Sequence, residues 1–477
     1  VKRIGIIVVA YNAASTLAKV LDRIPRDFVP RIDQILICDN ASEDQTYLVG
    51  LGYKQVAGQT LPLNVVRNPR NLGYGGNQKV GYEWAIEHGL DIVVLLHADG
   101  QYAPEFLPQI VAPLEAGTAD AVFGSRMMTR GGARGGGMPL YKFVGNKVLS
   151  TFENRVVGTN LSEWHSGYRA YQVATLRDIP FRRNSDEYDF DTEIIVQLHE
   201  AGKRIVELPI PTYYGEEISY VNGMRYAKDI VGDVLRYRAH KMGLGSGETA
   251  FASSPYEPKG GPDTATGRIL AWLGGREPQR ILVVADDGGV IGAELTGRGH
   301  DIVAVTPADP AAAGASSSDE SDSDDAAAPV AVALDRPLPD AVGTDFDAVL
   351  LVDTLGRTRH PDALLREVRA RLAPGGRVMA SVPNFGHWYP RARVLAGRWG
   401  YDRRGILDEH TVRFFVARDA ERLFADDGWQ VARRERVGLP LGPEGERSRT
   451  LAVVDGAGLV LAPSLFAYQY LYELTAE

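Results

Sequence analysis

Apolar runs that recur between helical patterns constrain this chain more than any other feature. The runs IGIIVVAY, QILICDN, LNVVRN, DIVVLLHAD and ADAVFGSR alternate with amphipathic stretches such as STLAKVLDRI and GGNQKVGYEWAIEHG. Strands that are apolar on both faces and joined by helices predict a mainly parallel sheet covered on both sides, an α/β fold. In such sheets ligands sit beyond the carboxyl ends of the strands. Asn12, Asp39, Asn68 and Asp99 all fall there.

The alternation stops and then resumes. GLGSGETAFASSPYEPKGGPDTATG has the composition of a linker, after which RILVVADDGGVIGAEL, FDAVLLVDTL, the helical PDALLREVRARLAPGG and RVMASVP begin a second unit. A chain of 477 residues is too long for one ordinary core. We expect a first domain over residues 1–243, a linker over 244–277, a second domain over 278–440 and a C-terminal extension over 441–477. Residues 307–329 read as an acidic low-complexity insert in the second domain.

The net charge is −9, and the run SSSDESDSDD alone supplies five acids. No basic surface stands out, which argues against nucleic acid as a partner. The single cysteine, Cys38, excludes an intrachain disulfide and a cysteine metal cage. No apolar run reaches the roughly 18 residues that span a bilayer, so the chain reads as cytoplasmic. The stretch 220–243 is helical in pattern, with basic residues and tyrosines, and leaves room for peripheral contact with the cytoplasmic face of a membrane.

The polar residues at the strand ends suit a sugar-nucleotide enzyme. Asp39 can accept hydrogen bonds from a nucleobase. Asp99 can hold a hard divalent ion through oxygen, with Gln101 as a second ligand. Arg126 and Arg169 can neutralise phosphates. Read alone, Asp99 is equally the residue that turns the chain out of a strand.

The blocks VVAYNAASTL, CDNASEDQT, NPRNLGYGGNQKVGYEWA, LLHADGQYAPEFL and FGSRM resemble, in order and spacing, glycosyltransferase family 2, and in particular its dolichyl-phosphate mannose synthase-like members. SGYRAY and RIVELPIPTYY extend the resemblance to about residue 237. It implies a GT-A fold, a nucleotide-sugar donor, a Mg2+ or Mn2+ ion, and a glycan or polyprenyl-phosphate acceptor. The implied donor contacts are Tyr11, Asn12, Asp39, Asn71, Gly73, Arg126 and Arg169; the implied metal site is Asp99 and Gln101, with His97 beside them. The chain departs from the family's motifs at three places. His97 stands where the Asp-x-Asp motif has its first acid, Asn40 follows Asp39 in place of a second aspartate, and Ala13 replaces a common glutamate. On the acceptor side, Asp191 and Glu193 lie at a helix start, where carboxylates also serve as caps. If the acceptor is a hydroxyl, Asp191 is the expected general base, and Asp191, Glu193 and Asp99 form the candidate catalytic set.

The second unit resembles class I S-adenosylmethionine-dependent methyltransferases through LAPGGRVMASVPNFGHW and RGILDEHTVRFF. This implies a Rossmann-like fold and a cofactor pocket near Asp286 and Gly289. Gly289 is retained, but Ala285 and Asp287 occupy places where the family has glycine. Thr306 replaces the carboxylate expected to bind ribose, and Leu355, Gly356 and Arg357 replace a Leu-Glu-His segment. These changes predict a degenerate domain. A bifunctional glycosyltransferase and methyltransferase, or a non-catalytic sugar-nucleotide-binding scaffold, are the alternatives.

Overall fold

In the first unit, Ile4, Ile6, Val8 and Ala10 of strand β1 (Ile4–Ala10) face one way, and Ile7 and Val9 the other. This period-two alternation makes both faces of the strand apolar, so the sheet needs a helical layer on each side. The computed structural model describes residues 2–58, 60–211, 213, 223–241, 264–274, 277–285, 289–308, 330–402, 405–439 and 456–476. It divides into two units, the first holding the described residues up to Arg238 and the second holding 239–241 and those described from Thr264 onward.

The strands of the first unit are β1 (Ile4–Ala10), β2 (Ile32–Asp39), β3 (Leu63–Arg67), β4 (Ile92–His97), β5 (Ala121–Ser125), β6 (Arg169–Gln172) and β7 (Ile205–Pro209). They pair in the order β3-β2-β1-β4-β6-β5-β7. All neighbours are parallel except at β6, which runs antiparallel to β4 and β5. The expected mainly parallel sheet is present, with one reversed strand.

The helices are α1 (Leu17–Asp22), α2 (Thr46–Ala57), α3 (Gly73–Glu87), α4 (Leu107–Glu115), α5 (Gly132–Gly135), α6 (Leu140–Val157), α7 (Val173–Asp178), α8 (Phe190–Glu200) and α9 (Gly223–Lys241). One face of the sheet packs on Leu17 and Leu21 of α1 and Leu107 and Ile110 of α4. The other packs on Tyr82 of α3, Ile194 and Leu198 of α8, and Ile230 and Val234 of α9. Among the described residues no helix is long and apolar enough to cross a membrane.

The second sheet comprises β8 (Arg280–Val284), β9 (Asp301–Pro307), β10 (Val330–Val332), β11 (Phe346–Val352), β12 (Leu372–Pro383), β13 (Trp429–Val437) and β14 (Gln469–Ala476). Its order is β10-β9-β8-β11-β12-β14-β13, with β14 antiparallel to both β12 and β13. Helices α10 (Ala265–Leu273), α11 (Val290–Gly297), α12 (Pro361–Arg371), α13 (Trp388–Leu395) and α14 (Ala417–Asp426) accompany it.

Two boundaries need correction. The stretch read as a C-terminal extension holds β14, whose Tyr470, Leu471, Tyr472 and Leu474 are core residues. The stretch read as linker holds α10, whose Ile269 and Leu273 pack on Ile281 and Val283. The expected insert lies outside the described residues, apart from Pro307 and Ala308 at its start.

Candidate active site

Parallel pairing brings the ends of β1, β2 and β4 side by side, with Ala10 beside Asp39 and Val9 beside His97. The loops that follow these strands therefore share one edge of the sheet. Asn12 adopts the left-handed region, φ 49°. This conformation lets its amide donate to Ser42 Oγ at 2.9 Å, while its side-chain oxygen accepts from the Glu43 amide at 2.9 Å. Tyr11, just before it, is half-buried.

Asp39 is fully buried. Its Oδ1 accepts from the Ser42 hydroxyl, and its Oδ2 lies 3.4 Å from Arg67 Nε without hydrogen-bond geometry. A buried carboxylate oxygen without a hydrogen bond is costly in a finished core and is common where a ligand completes the set.

Asn40 explains one departure from the family pattern. Its amide donates to Asn71 Oδ1 at 2.9 Å and Gly73 O at 3.0 Å, and its oxygen accepts from Asn68 Nδ2 at 3.1 Å and the Leu72 amide at 2.9 Å. An aspartate in its place would lose both donors. Asn71 and Gly73 thus stand in a network that ties the loop before α3 to the end of β2. Gly73 has φ 82°, and a Cβ there would collide with Asp186 O. Only glycine fits that approach.

Asp99 is half-buried in the turn after β4, where its Oδ1 accepts from the Gln101 amide at 3.0 Å. The turn-forming role is real, and it engages one oxygen of two. Gln101 is also half-buried. His97 points elsewhere. Its ring packs on Tyr102 at 5.1 Å and Tyr74 at 5.7 Å between centroids. A Cβ on Gly167 would lie 2.5 Å from its Nε2, so the missing side chain makes the space for the imidazole. Burial depresses the His97 pKa, with Asp99 and Asp191 pulling it up and Arg169 and Arg126 pushing it down. The ring sits among those four charged groups. Among the described residues no three His, Cys, Asp or Glu side chains gather to hold a metal by themselves.

Arg169 and Arg126 are not open phosphate clamps. Arg169 is 1% exposed and donates to the Ser166, Trp164 and Asp191 carbonyls at 2.7, 2.7 and 3.0 Å, with Asp191 Oδ1 3.4 Å away. The contact with donor phosphate expected of it is not offered by this geometry, because the guanidinium is turned into the fold. Arg126 is buried against Glu163, donating through Nε at 2.9 Å and also to His165 O at 3.0 Å. Burial pushes Glu163 up, but Arg126 and its hydrogen bonds outweigh this and hold it below the usual glutamate value. Both arginine charges are thus matched by acids within the fold.

The two carboxylates of α8 part company, because residues two apart point to opposite sides of a helix. Asp191 joins the site: Tyr74 Oη donates to its Oδ2 at 2.9 Å, and Gln78 to its Oδ1 at 3.4 Å. Burial and Asp191 hold the Tyr74 hydroxyl far above its usual range, so it remains a donor. Glu193 turns the other way and accepts from the Ser185 amide at 2.5 Å. Burial, with Asp189 nearby, raises its pKa to about 7. We remove it from the catalytic set.

Glu193 carries a stability prediction. A carboxyl whose folded pKa exceeds its unfolded value binds more protons when folded, so stability falls as pH rises between the two values. The penalty should be absent below about pH 4.5 and complete above about pH 7, amounting to roughly 3 kcal/mol. Glu193→Gln should flatten this slope, as read from urea midpoints across that range; an unchanged slope would contradict the assignment.

In the second unit, Gly289 has φ 84° and begins α11, while Asp286 lies outside the described residues. Thr306 sits near the end of β9. Asp353, after β11, accepts from Ser381 Oγ at 2.6 Å and from Gln469 at 2.7 and 3.0 Å. The last contact comes from β14.

Sequence reasoning passed over Tyr74, Glu163 and Gly167. Tyr74 lies in the quoted block NLGYGG, and Glu163 and Gly167 in LSEWHSGYR, so their positions were visible although their partners were not.

Comparison with known proteins places these observations. A family model described as glycosyl transferase family 2 matches residues 5–179, and one described as a methyltransferase domain matches residues 266–433. The chain is 34% identical over 209 residues to undecaprenyl-phosphate mannosyltransferase of Micrococcus luteus, covering 44% of this chain and 82% of that protein. It is 27% identical over 210 residues to polyprenol monophosphomannose synthase of Mycolicibacterium smegmatis, covering 44% and 77%. A Methanococcus voltae UDP-N-acetylglucosamine–dolichyl-phosphate N-acetylglucosaminyltransferase is 28% identical over 253 residues, covering 51% and 97%. Among solved structures, glucosyl-3-phosphoglycerate synthase from Mycobacterium tuberculosis with phosphoglyceric acid matches at 19% identity and a TM-score of 0.39, covering 50% of this chain and 80% of that one.

Proposed function

The chain belongs to glycosyl transferase family 2 through its first unit, and on that premise we propose that it moves a hexose from a nucleotide diphosphate to the phosphate of a polyprenyl phosphate, inverting the anomeric carbon. The Micrococcus luteus relative is named for mannose transfer with undecaprenyl phosphate, and the Mycolicibacterium smegmatis relative for the synthesis of polyprenol monophosphomannose.

The observation that carries this reading is the state of Asp191. A hydroxyl acceptor needs a base it can reach, and Asp191 is 4% exposed, with Tyr74, Gln78 and Arg169 gathered around its two oxygens. A phosphate monoester is already ionised and needs no proton removed. Asp191 then serves to fix Tyr74 and the loop at Gly167, and Asp99 is the reacting-site carboxylate.

On the donor side, Asn12 and the open oxygen of Asp39 suit a nucleobase, with Tyr11, Asn71 and Gly73 shaping the loops around it. A hard divalent ion such as Mg2+ or Mn2+ is commonly held by one or two protein oxygens together with substrate phosphates. Asp99, with Gln101, fits that pattern; His97, packed into the hollow of Gly167, is better suited to positioning. Such an ion would supply charge for the leaving diphosphate.

One surface helix of the first unit has lipid-like features. Leu140, Tyr141, Val144 and Val148 of α6 are 60, 73, 48 and 61% exposed, interleaved with Lys142 and Lys147. By contrast, the described part of the stretch expected to meet a membrane, α9, turns Ile230, Val234 and Tyr237 into the core. We therefore assign peripheral contact at the cytoplasmic membrane face to α6. The test is acceptor choice. Label should pass to polyprenyl phosphate and not to the same polyprenol without its phosphate; transfer to the alcohol or to a free glycan would overturn the reading.

For the second unit we propose a non-methylating role, supported by Thr306 in the place of the ribose-binding carboxylate. Calorimetric titration of the full chain with S-adenosylmethionine should show no binding tighter than about 100 μM, a free energy of roughly −5 kcal/mol. Micromolar binding would favour the bifunctional alternative.

A further inference from the structure

The second unit carries a short element with many large exposed side chains, although Tyr389 and Pro390 at its start are packed into the fold. After β12 the chain forms α13 and returns to Asp402, and residues 388–401 read WYPRARVLAGRWGY, with three arginines and no acid. Leu395 is 88% exposed, Trp399 57%, Val394 53%, Tyr401 49% and Trp388 38%.

The base of the element is firmly held. Buried Asp402 accepts from Arg393 at 2.6 Å and Tyr389 at 2.8 Å. Trp399 lies against Phe385 and Phe414, with centroids 5.8 and 6.3 Å apart, and Tyr401 stacks on Phe414 at 6.4 Å. Arg391 Nε fastens to Gly386 O at 2.7 Å. The Arg398 side chain, exposed on the return segment, has no hydrogen bond or ion pair among the described residues. The apolar tip is thus presented on a fixed support, and exposing so many large side chains on one short segment marks an interaction surface.

We propose that this element seats the second unit on an anionic bilayer, with Val394 and Leu395 entering the acyl boundary, Trp399 and Tyr401 at headgroup level, and Arg391 and Arg398 facing lipid phosphates. Charge and chemistry select this occupant. Cations without acids favour an anionic surface, and indole and phenol rings favour the interface between water and hydrocarbon. A carbohydrate would gain from Trp399 but nothing from Val394 and Leu395. The inference is independent of what the first unit transfers.

The test is flotation of the full chain with vesicles of phosphatidylcholine, with or without phosphatidylglycerol. The wild type should float with the anionic vesicles and much less with neutral ones. Val394→Ser with Leu395→Ser should weaken partition about tenfold or more without changing the melting temperature, since both side chains are exposed and neither takes part in the contacts that hold the base. The difference should persist in a background carrying Val144→Ser and Val148→Ser, which separates it from α6. Quenching of tryptophan fluorescence by brominated lipid should drop in Trp399→Phe. A wild type left in the soluble fraction, a Ser variant that floats like the wild type, or equal binding to neutral and anionic vesicles would overturn the proposal. So would self-association abolished by the same substitutions without vesicle binding.

Discussion

Transfer should fall about 10³-fold, roughly 4 kcal/mol of transition-state stabilisation, when Asp99 is replaced by asparagine. The Gln101 amide donates to Asp99 Oδ1 at 3.0 Å, and an asparagine oxygen can accept that bond equally well. The turn is therefore kept while the charge is removed. The melting temperature should be unchanged and the loss should appear in kcat. If Asp99 only shapes the turn, Asp99→Asn will remain active, and steady-state kinetics with saturating donor separates the two outcomes.

Arg169→Met should cost the first unit about 3–5 kcal/mol, the usual penalty for stranding the partner of a buried ion pair. The guanidinium is 1% exposed and serves three backbone carbonyls besides Asp191. Removing it leaves the Asp191 carboxylate buried at 4% exposure and the Ser166–Gly167 turn without its fastening. The urea midpoint of the first unit's transition is the measurement. Arg169→Met combined with Asp191→Leu should be less destabilised than the single change, because the second substitution removes the stranded charge. Were Arg169 an open phosphate ligand instead, the single substitution would leave stability intact and raise the donor KM.

Much of this arrangement could be read from residue order. Apolar runs ending in Asn12, Asp39 and Asp99 located the strand ends, because parallel strands must be buried on both faces and polar side chains collect where they stop. Charge partners were not readable. Arg126 looked like a free cation until Glu163, 37 residues later, closed on it, and Arg169 until Asp191 did. Spacing along a chain says nothing about pairings made through tertiary contact. Asp191 and Glu193 looked alike as acids at a helix start, yet helical geometry puts them on opposite sides. β14 was misread as an extension although YQYLYELTA alternates like a strand; its partner β12 lies nearly ninety residues earlier, and the intervening sequence broke the pattern.

The central claim, ion-assisted inverting transfer to a lipid phosphate, is tested most directly by a single product analysis. The full chain would be incubated with Mg2+ or Mn2+, a panel of labelled α-linked UDP- and GDP-hexoses, and undecaprenyl phosphate. The account predicts label in the lipid phase as a β-linked hexosyl phosphodiester, lost on chelation of the ion. An α-linked product, or no transfer from any donor in the panel, would contradict it.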